Sequence, residues 1–209
     1  TLVSATEALP GAETLSQQWM ERWPQLKGVT LNLQPKRNNT VLGERTLCLR
    51  GENAIEERFC ALSLELGTTT FFQVNTPRAE QVVVMIRDWL TRSAANRRVI
   101  DAYCGIGTIA LPLAAAGHRV TGLEINSTSV RHAERNALRN GLRNTHFLDG
   151  DVARHLRDLL PQHDALVVDP PRKGLDPAVL KMILTHPPRS LAYLSCAPAT
   201  LARDLKQLV

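Results

Sequence analysis

The stretch RRVIDAYCGIGT, residues 97–108, decides the fold. Its apolar first half has the length of a strand, its second half holds two glycines, and the helical segment TIALPLAAAG follows. An apolar run, a glycine turn and a helix in this order are typical of a βα unit in a parallel sheet. Gly105 and Gly107 allow a ligand to approach the backbone closely. A tight strand-to-helix turn without a ligand is the alternative on spacing alone.

The same alternation of apolar runs and helical segments continues to the end of the chain. The later segments are HRVTGLEIN (118–126), a charged helix over 127–140, THFLDGD (145–151), the helix VARHLRDLL (152–160), ALVVDP (165–170), a helix over 177–184, LAYLSCA (191–197) and a last helix from Ala199. Together they predict five parallel strands. Gly117 and Gly141 stand where helices should end, and Pro177 suits a first helical turn.

Residues 1–74 have a different pattern. They contain several prolines and short alternating segments such as TLCLRG (46–51) and RFCALSLEL (58–66), which predict a mostly antiparallel β region. We place a domain boundary near Asn75. A helix over 77–91, with Val82, Val83, Ile86 and Leu90 on one face, should connect this region to the α/β domain at 75–209.

Composition restricts the class of protein. The chain has 209 residues, 44% of them hydrophobic, as expected for a globular protein. Its net charge of +5 permits a polyanionic partner, although a solvated surface explains it equally well. The arginines at 131, 135, 139 and 143 have near-helical spacing and allow the same two interpretations.

Cysteine and histidine usage adds further expectations. Four separated cysteines, no CxxC pair and no apolar stretch of about 18 residues predict a reduced, cytoplasmic protein without a membrane span. The six histidines lack metal-ligand spacing, so we expect no metal.

Acidic residues follow the predicted strands. Glu124 ends the second strand, where a carboxylate accepts hydrogen bonds from both ribose hydroxyls of a nucleotide cofactor. Asp151 ends the third, where it can either meet an adenine amino group or cap the next helix. NAD would use similar geometry, but Ala110 occupies the third glycine position of the pyrophosphate turn. The phosphate-free cofactor S-adenosylmethionine therefore fits better.

Two motifs near the end of the chain point to pyrimidine chemistry. DPPRKG (169–174) and SCAP (195–198) each follow an apolar run, so both should emerge at the carboxyl edge of the sheet, where such sheets bind ligands. A cysteine there can add covalently to an electron-poor ring. Cys196 is therefore the candidate nucleophile, whereas Cys104, inside the glycine turn, is better explained as packing.

The chain resembles the RNA uracil-5-methyltransferase family. The resemblance rests on five motifs in matching order, namely FFQVN (71–75), DAYCGIGT (101–108), GLEIN (122–126), DPPRKG and SCAPATLARDL (195–205). It implies a Rossmann-like methyltransferase sheet preceded by a smaller central-domain fragment, S-adenosylmethionine as cofactor, and uridine of rRNA or tRNA as substrate.

The resemblance also implies roles for individual residues. The cofactor-pocket positions of the family match Gln73, Tyr103, Thr108, Glu124, Asp151 and Asp169, beside Gly105 of the turn. Cys196 matches the nucleophile and Arg172 a residue on the substrate side, for which an ion pair with Asp176 is the alternative. Thr108 departs from the asparagine common in relatives, since its hydroxyl reaches less far.

The resemblance further implies that parts are missing. The family's proton-abstracting glutamate and last strands are expected beyond Val209, so we interpret the chain as truncated, with Asp169 or Asp204 as conceivable substitute bases. Asp204 is better explained as a helix-surface or ion-pair residue. A cofactor- or RNA-binding fragment without full turnover is the main alternative. Amino-methylating nucleic-acid enzymes, which usually have an aromatic residue after the paired prolines, and nicotinamide oxidoreductases fit less well.

Overall fold

The computed structural model describes residues 1–36, 41–93 and 97–209. The chain divides into two compact units, one made of residues 1–57 and 65–70, the other of residues 58–64 and 71–209. The assignment of residues 1–74 to a central-domain fragment and of 75–209 to a methyltransferase domain stays a prediction. No helix of these three ranges is long and apolar enough to cross a membrane.

The first unit is built on short strands and one helix. Its elements are β1 (Leu2–Ser4), α1 (Ala12–Arg22), β2 (Gly28–Leu33), β3 (Arg45–Gly51) and most of the hairpin β4 (Ala54–Phe59) and β5 (Leu62–Gly67). β1 is parallel to β2, and β2 is antiparallel to β3.

The segment RFCALSLEL is not a single strand. Cys60 and Ala61 both have positive φ angles, 48° and 63°, and form the turn between β4 and β5. Two-residue hairpin turns with positive φ normally use Asn, Asp or Gly. The Glu80 carboxylate accepts the Cys60 N–H at 2.5 Å and helps to hold this turn.

The second unit is a parallel α/β sheet with helices packed against it. Its elements after the hairpin tip are α2 (Thr76–Ser93), β6 (Arg98–Ala102), α3 (Ala110–Ala115), β7 (Arg119–Glu124), α4 (Ser127–Arg139), β8 (Thr145–Asp149), α5 (Val152–Leu159), β9 (Ala165–Val168), α6 (Pro177–Thr185), β10 (Ser190–Tyr193) and α7 (Pro198–Leu208). The five strands are all parallel, in the order β10-β9-β6-β7-β8, which confirms the predicted α/β fold.

Burial explains why the central strands read as continuous apolar runs. Every residue of β9 is buried, as are Val99, Ile100 and Ala102 of β6. A parallel sheet covered by helices on both faces buries both sides of its strands, so alternation disappears. Leu156 of α5 and Val179 of α6 complete the core against this sheet.

The helix ends follow the predicted signals. Gly117 and Gly141 have φ angles of 93° and 68° just after α3 and α4, and Pro177 begins α6.

The predicted buried face of α2 holds with one exception. Val83 and Leu90 are buried on α2, but Val82 is 40% exposed. Val82 instead lines the cavity described below.

Strand order places a crevice at the centre of the sheet. The chain runs outward from β6 through β7 and β8, then returns to the other side of β6 for β9 and β10. Open α/β sheets bind ligands at such a switch point, beyond the carboxyl ends of the strands. The glycine turn after β6 and the DPPRKG segment after β9 meet there.

Candidate active site

A cavity of about 490 Å³ opens at this carboxyl edge. Its walls come from the segment before α2, the turn after β6, and the segments after β9 and β10. Four of the predicted site residues line it: Gln73, Thr108, Asp169 and Cys196. Residues from four distant parts of the sequence are thus brought to one cleft.

Strand register explains this convergence. The Leu194 amide donates to the Val168 carbonyl at 2.9 Å, and the Asp169 amide donates to the Ala102 carbonyl at 3.3 Å. These two hydrogen bonds continue the parallel strand pairing by one residue past the ends of β6, β9 and β10. The three connecting segments consequently leave the sheet at the same level.

Cys196 is the one cysteine that both lines this cavity and is exposed. It lies between the end of β10 and α7, which begins at Pro198. The Ser195 hydroxyl accepts the Ala197 N–H at 3.1 Å and fixes the short turn that presents the thiol. An accessible thiol at a fixed position is what nucleophilic chemistry needs.

Cys104 has the opposite environment. It is 3% exposed, and burial first, then the nearby Asp101 and Glu124 carboxylates, raise its pKa well above the ordinary thiol value. Its sulfur would lie 2.8 Å from a Cβ placed on Gly122, so it packs against β7. Cys104 is therefore a protonated packing residue, in line with the sequence interpretation.

Glu124 closes the glycine turn. One carboxylate oxygen accepts the Gly105 N–H at 3.1 Å and the other accepts the Asn126 N–H at 2.8 Å. Gly105 has a φ of 55°, with open space where a Cβ would project. A carboxylate has about four lone-pair sites, so Glu124 keeps acceptor capacity for a ligand above the turn.

Asp101 is a buried acid next to the site that the sequence analysis did not single out. It lies inside β6 with no exposed surface, and the Ala110 backbone N–H, which lowers its pKa, is too poorly placed to count as a hydrogen bond to either carboxyl oxygen within the described residues. Burial, followed by the charge of Asp169, raises its pKa well above the ordinary value, and Glu124 adds to the shift. Its position in an apolar strand is the signal that could have identified it, because unpaired buried carboxyls are costly.

Five predicted residues lie outside the lining of the cavity: Gly105 and Glu124 of the glycine turn, and Tyr103, Asp151 and Arg172. Tyr103, with a φ of 67°, packs against the core, and burial followed by nearby acids raises its pKa to about 12. Asp151 caps α5 by accepting the Arg154 N–H at 2.9 Å. Arg172 is exposed, and Asp176 pairs with Lys173 at 2.9 Å. The alternative of an Arg172–Asp176 pair is therefore not what the structure contains.

Asp204 is not a helix-surface residue. It is fully buried and accepts hydrogen bonds from the Tyr193 hydroxyl at 2.6 Å and the Leu175 amide at 2.9 Å, besides pairing with Arg203. Burial alone would raise its pKa, but these donors together hold it below the ordinary value. Asp204 joins α7 to β10 and to the DPPRKG segment, so it positions the cleft and has no free lone pair for a base.

Comparisons with known proteins agree with this geometry. The methyltransferase small domain family matches residues 84–193. An uncharacterized RNA methyltransferase of Parasynechococcus marenigrum is 55% identical over 99% of this chain and 45% of its own length. Another of Gloeobacter violaceus is 45% identical over 100% of this chain and 45% of its own.

Among solved structures, the tRNA (uracil-54, C5)-methyltransferase of Pyrococcus abyssi in complex with S-adenosyl-L-homocysteine has a TM-score of 0.76 at 26% identity. The match covers 99% of this chain and 48% of that protein. The chain thus spans about half the length of the curated relatives it matches. Because the family match extends over more than half of the residues, the chain belongs to the methyltransferase small domain family.

Proposed function

We propose that this chain carries the catalytic cleft of an RNA methyltransferase that transfers a methyl group from S-adenosylmethionine to carbon 5 of a uridine, through a covalent adduct on Cys196. The observation that carries the proposal is the exposed Cys196 thiol in the same cavity as Asp169, Thr108 and Gln73. Two comparisons support the proposal. The curated relatives are named RNA methyltransferases, and the Pyrococcus abyssi protein is named a tRNA (uracil-54, C5)-methyltransferase.

The residues of the crevice fit S-adenosylmethionine. Asp101, Glu124 and Asp169 lie close enough for the charges of the latter two to raise the pKa of Asp101. An acidic crevice favours a cation and opposes a pyrophosphate. The sulfonium and ammonium groups of S-adenosylmethionine suit it, and we expect Glu124 to accept hydrogen bonds from its ribose. The cofactor supplies an electrophilic methyl group.

The proposed role of Cys196 follows from the weakness of carbon 5 as a nucleophile. The Cys196 thiolate forms a bond to carbon 6, and the electron pair of the 5,6 double bond moves toward the carbonyl at carbon 4. Carbon 5 of this enolate would then bond the methyl group, while the bond from the methyl carbon to the sulfonium sulfur breaks and its electron pair stays on the sulfur as a neutral thioether. Loss of the carbon-5 proton to a base returns electrons to the ring, re-forms the double bond and releases Cys196 as thiolate.

Asp169 is a second candidate for chemistry in the cleft. It lines the cavity, and burial raises its pKa above the ordinary carboxyl value. A raised pKa makes a carboxylate a stronger proton acceptor. We therefore retain Asp169, and not Asp204, as the residue of this chain that could assist proton removal.

The substrate base has to leave its stack to reach Cys196. Unstacking costs a few kcal/mol, about what the flipped base recovers in a fitted pocket. Arg172, exposed beside the cleft, is proposed to contact the RNA near the flipped uridine. We propose rRNA or tRNA as the substrate class.

Nucleoside analysis tests the proposal. RNA incubated with the chain and S-adenosylmethionine is digested to nucleosides and analysed by mass spectrometry. We expect 5-methyluridine where a base of this cleft removes the carbon-5 proton, and methylated RNA that stays linked to Cys196 where that base lies outside the cleft. Methylation of a base amino group, or methyl transfer that survives Cys196→Ala, would contradict the proposal.

A further inference from the structure

A second cavity, of about 540 Å³, lies at the amino-terminal edge of the same sheet. It is lined by the starts of β6 and β7, the residues before β8, and His163 before β9. Arg98, Arg119 and Arg143 contribute three guanidinium groups to it. No residue of the proposed methyl-transfer chemistry lies there.

The three arginines are unpaired within the described part of the chain. Within residues 1–36, 41–93 and 97–209, none of them forms an ion pair or a side-chain hydrogen bond. The Asp164 carboxylate accepts the backbone N–H of Arg98 at 2.9 Å. The described residues that line the cavity include three arginines and no carboxylate, so the lining is positively charged.

Neighbouring groups fix this cavity without competing for an anion. The Asn144 amide donates to the Ala114 and His118 carbonyls, both at 2.7 Å, and so holds the turn that carries Arg143. The backbone amides of Arg119 and Val120 already donate to carbonyls of the neighbouring strands. An anion here would therefore be bound by side chains.

His163 does not add a permanent charge. Its ring bonds the Thr121 hydroxyl at 3.1 Å and the Leu159 carbonyl at 2.7 Å. Burial first, with a contribution from the Arg98 charge, lowers its pKa. Among the residues that line this cavity, the arginines are thus the ones that carry a permanent positive charge.

We propose that Arg98, Arg119 and Arg143 form a second RNA-binding site, which takes phosphodiester groups of the substrate at the sheet edge opposite to Cys196. The proposal rests on RNA being the substrate. Guanidinium groups match phosphate oxygens through paired N–H donors, and backbone phosphates supply most of the affinity of nucleic-acid binding.

One RNA is large enough to reach both edges. β6 has five residues, so at about 3.3 Å per residue the two edges are roughly 17 Å apart. Nucleic acid stacked at about 3.4 Å per nucleotide needs at least about five nucleotides for that distance, and more to pass around the helices that cover the sheet. A folded RNA can therefore place a flipped uridine at Cys196 while its backbone contacts the arginines.

The test measures how salt affects RNA binding. The affinity of the chain for a fluorescently labelled structured RNA is followed by anisotropy over a series of KCl concentrations. Arg119→Gln and Arg143→Gln should each lower the slope of log K against log salt by about 1. Combined with Arg98→Gln, they should weaken binding at least about tenfold.

A matched control is Arg157→Gln, which removes an exposed arginine from the last turn of α5, outside the cavity. Its slope should stay near that of the unmodified chain, and unfolding midpoints should show that all variants are folded. Equal slopes for Arg157→Gln and the cavity variants would overturn the proposal. So would a cavity that binds inorganic phosphate while RNA affinity stays unchanged in the variants, or a chain without RNA affinity.

The outcomes separate this site from the catalytic proposal. Lowered salt slopes in the arginine variants, together with neither 5-methyluridine nor RNA linked to Cys196, would retain the RNA site and reject the uridine chemistry. Unchanged slopes, together with 5-methyluridine that depends on Cys196, would reject the RNA site alone.

Discussion

The two edges of the five-stranded sheet have opposite chemical character. At the carboxyl edge, Asp169 lines the cleft that presents the Cys196 thiol, and Asp101 lies close enough to both Asp169 and Glu124 for their charges to raise its pKa. At the amino edge, Arg98, Arg119 and Arg143 line a cavity of similar volume. The same strands thus connect an acidic crevice suited to a cation with a basic cavity suited to a polyanion.

This difference in charge suits the two edges of the sheet to different roles. The carboxyl-edge crevice keeps its acidic groups largely away from solvent, and Asp101, the most deeply buried of them, has no exposed surface. Charge that attracts phosphates is exposed at the far edge, where solvent and salt screen it. Substitutions at the carboxyl edge should therefore alter chemistry and stability, and substitutions at the amino edge should alter RNA affinity.

The largest effect is expected from the thiol itself. Cys196→Ala should lower methyl transfer by at least about 10⁴-fold, because no other group of the cleft can add to carbon 6. Cys48→Ser, which changes the exposed cysteine of β3, is the matched control and should keep the activity. Methyl-transfer assays on the two purified variants check this. Equal losses of activity in both variants would contradict the role proposed for Cys196.

A second prediction uses two aspartates that flank one strand. Asp169 follows β9 at the carboxyl edge, and Asp164 precedes it at the amino edge. Asp169→Asn should reduce the methyl-transfer rate by about 100-fold, as for loss of a carboxylate that handles protons or a cofactor cation. Asp164→Asn should cost far less. A larger loss for Asp164→Asn would reverse the proposed assignment of the two edges.

A third prediction concerns the carboxylate that holds the cleft together. Asp204→Ala leaves the buried donors of Tyr193 and Leu175 without an acceptor, which should lower the free energy of unfolding by about 1–3 kcal/mol at neutral pH. Because its pKa is depressed on folding, Asp204 contributes stability above the unfolded value of 3.8, and loses it as pH falls.

Urea unfolding of the chain and of Asp204→Ala, at several pH values below neutral, checks this. The difference between them should shrink as the pH falls below 3.8. A difference that is constant with pH would show that the Asp204 contribution does not depend on its charge.

The last prediction concerns the stability contribution of Asp101, and its sign is opposite to that of Asp204. Its pKa is raised on folding, so the folded state holds a proton that the unfolded chain releases above 3.8. Stability should therefore fall as pH rises from that value toward the folded pKa. Asp101→Asn, which is uncharged, should remove this slope. Measurements of the free energy of unfolding between mildly acidic and neutral pH check this prediction. An unchanged slope in Asp101→Asn would show that a group other than Asp101 binds the proton.

Much of the fold followed from local signals in the sequence. The strands Val99–Ala102 and Ala165–Val168 were recognisable because burial on both faces requires unbroken apolar runs. Gly117, Gly141 and Pro177 marked helix ends through their backbone preferences alone. Thr108, Asp169 and Cys196 follow the ends of β6, β9 and β10, and the topology of the sheet brings them to one cavity.

Other features depend on contacts that a local pattern does not contain. The turn at Cys60 and Ala61 lacks glycine and asparagine, and Glu80, from α2, helps to hold it. Asp204 is buried because donors from β10 and from the segment before α6 reach it. Arg98, Arg119 and Arg143 are spread over 45 residues and meet only because the strands begin at one edge.

The most direct test of the central claim identifies the atom that attacks the base. RNA that contains 5-fluorouridine is incubated with the chain and S-adenosylmethionine, and the protein is digested and analysed by mass spectrometry. Fluorine cannot leave as a proton does, so the adduct should persist and be found as a nucleotide linked to the sulfur of Cys196. A nucleotide linked to another residue, or no linked species while methyl transfer to uridine proceeds, would contradict the account.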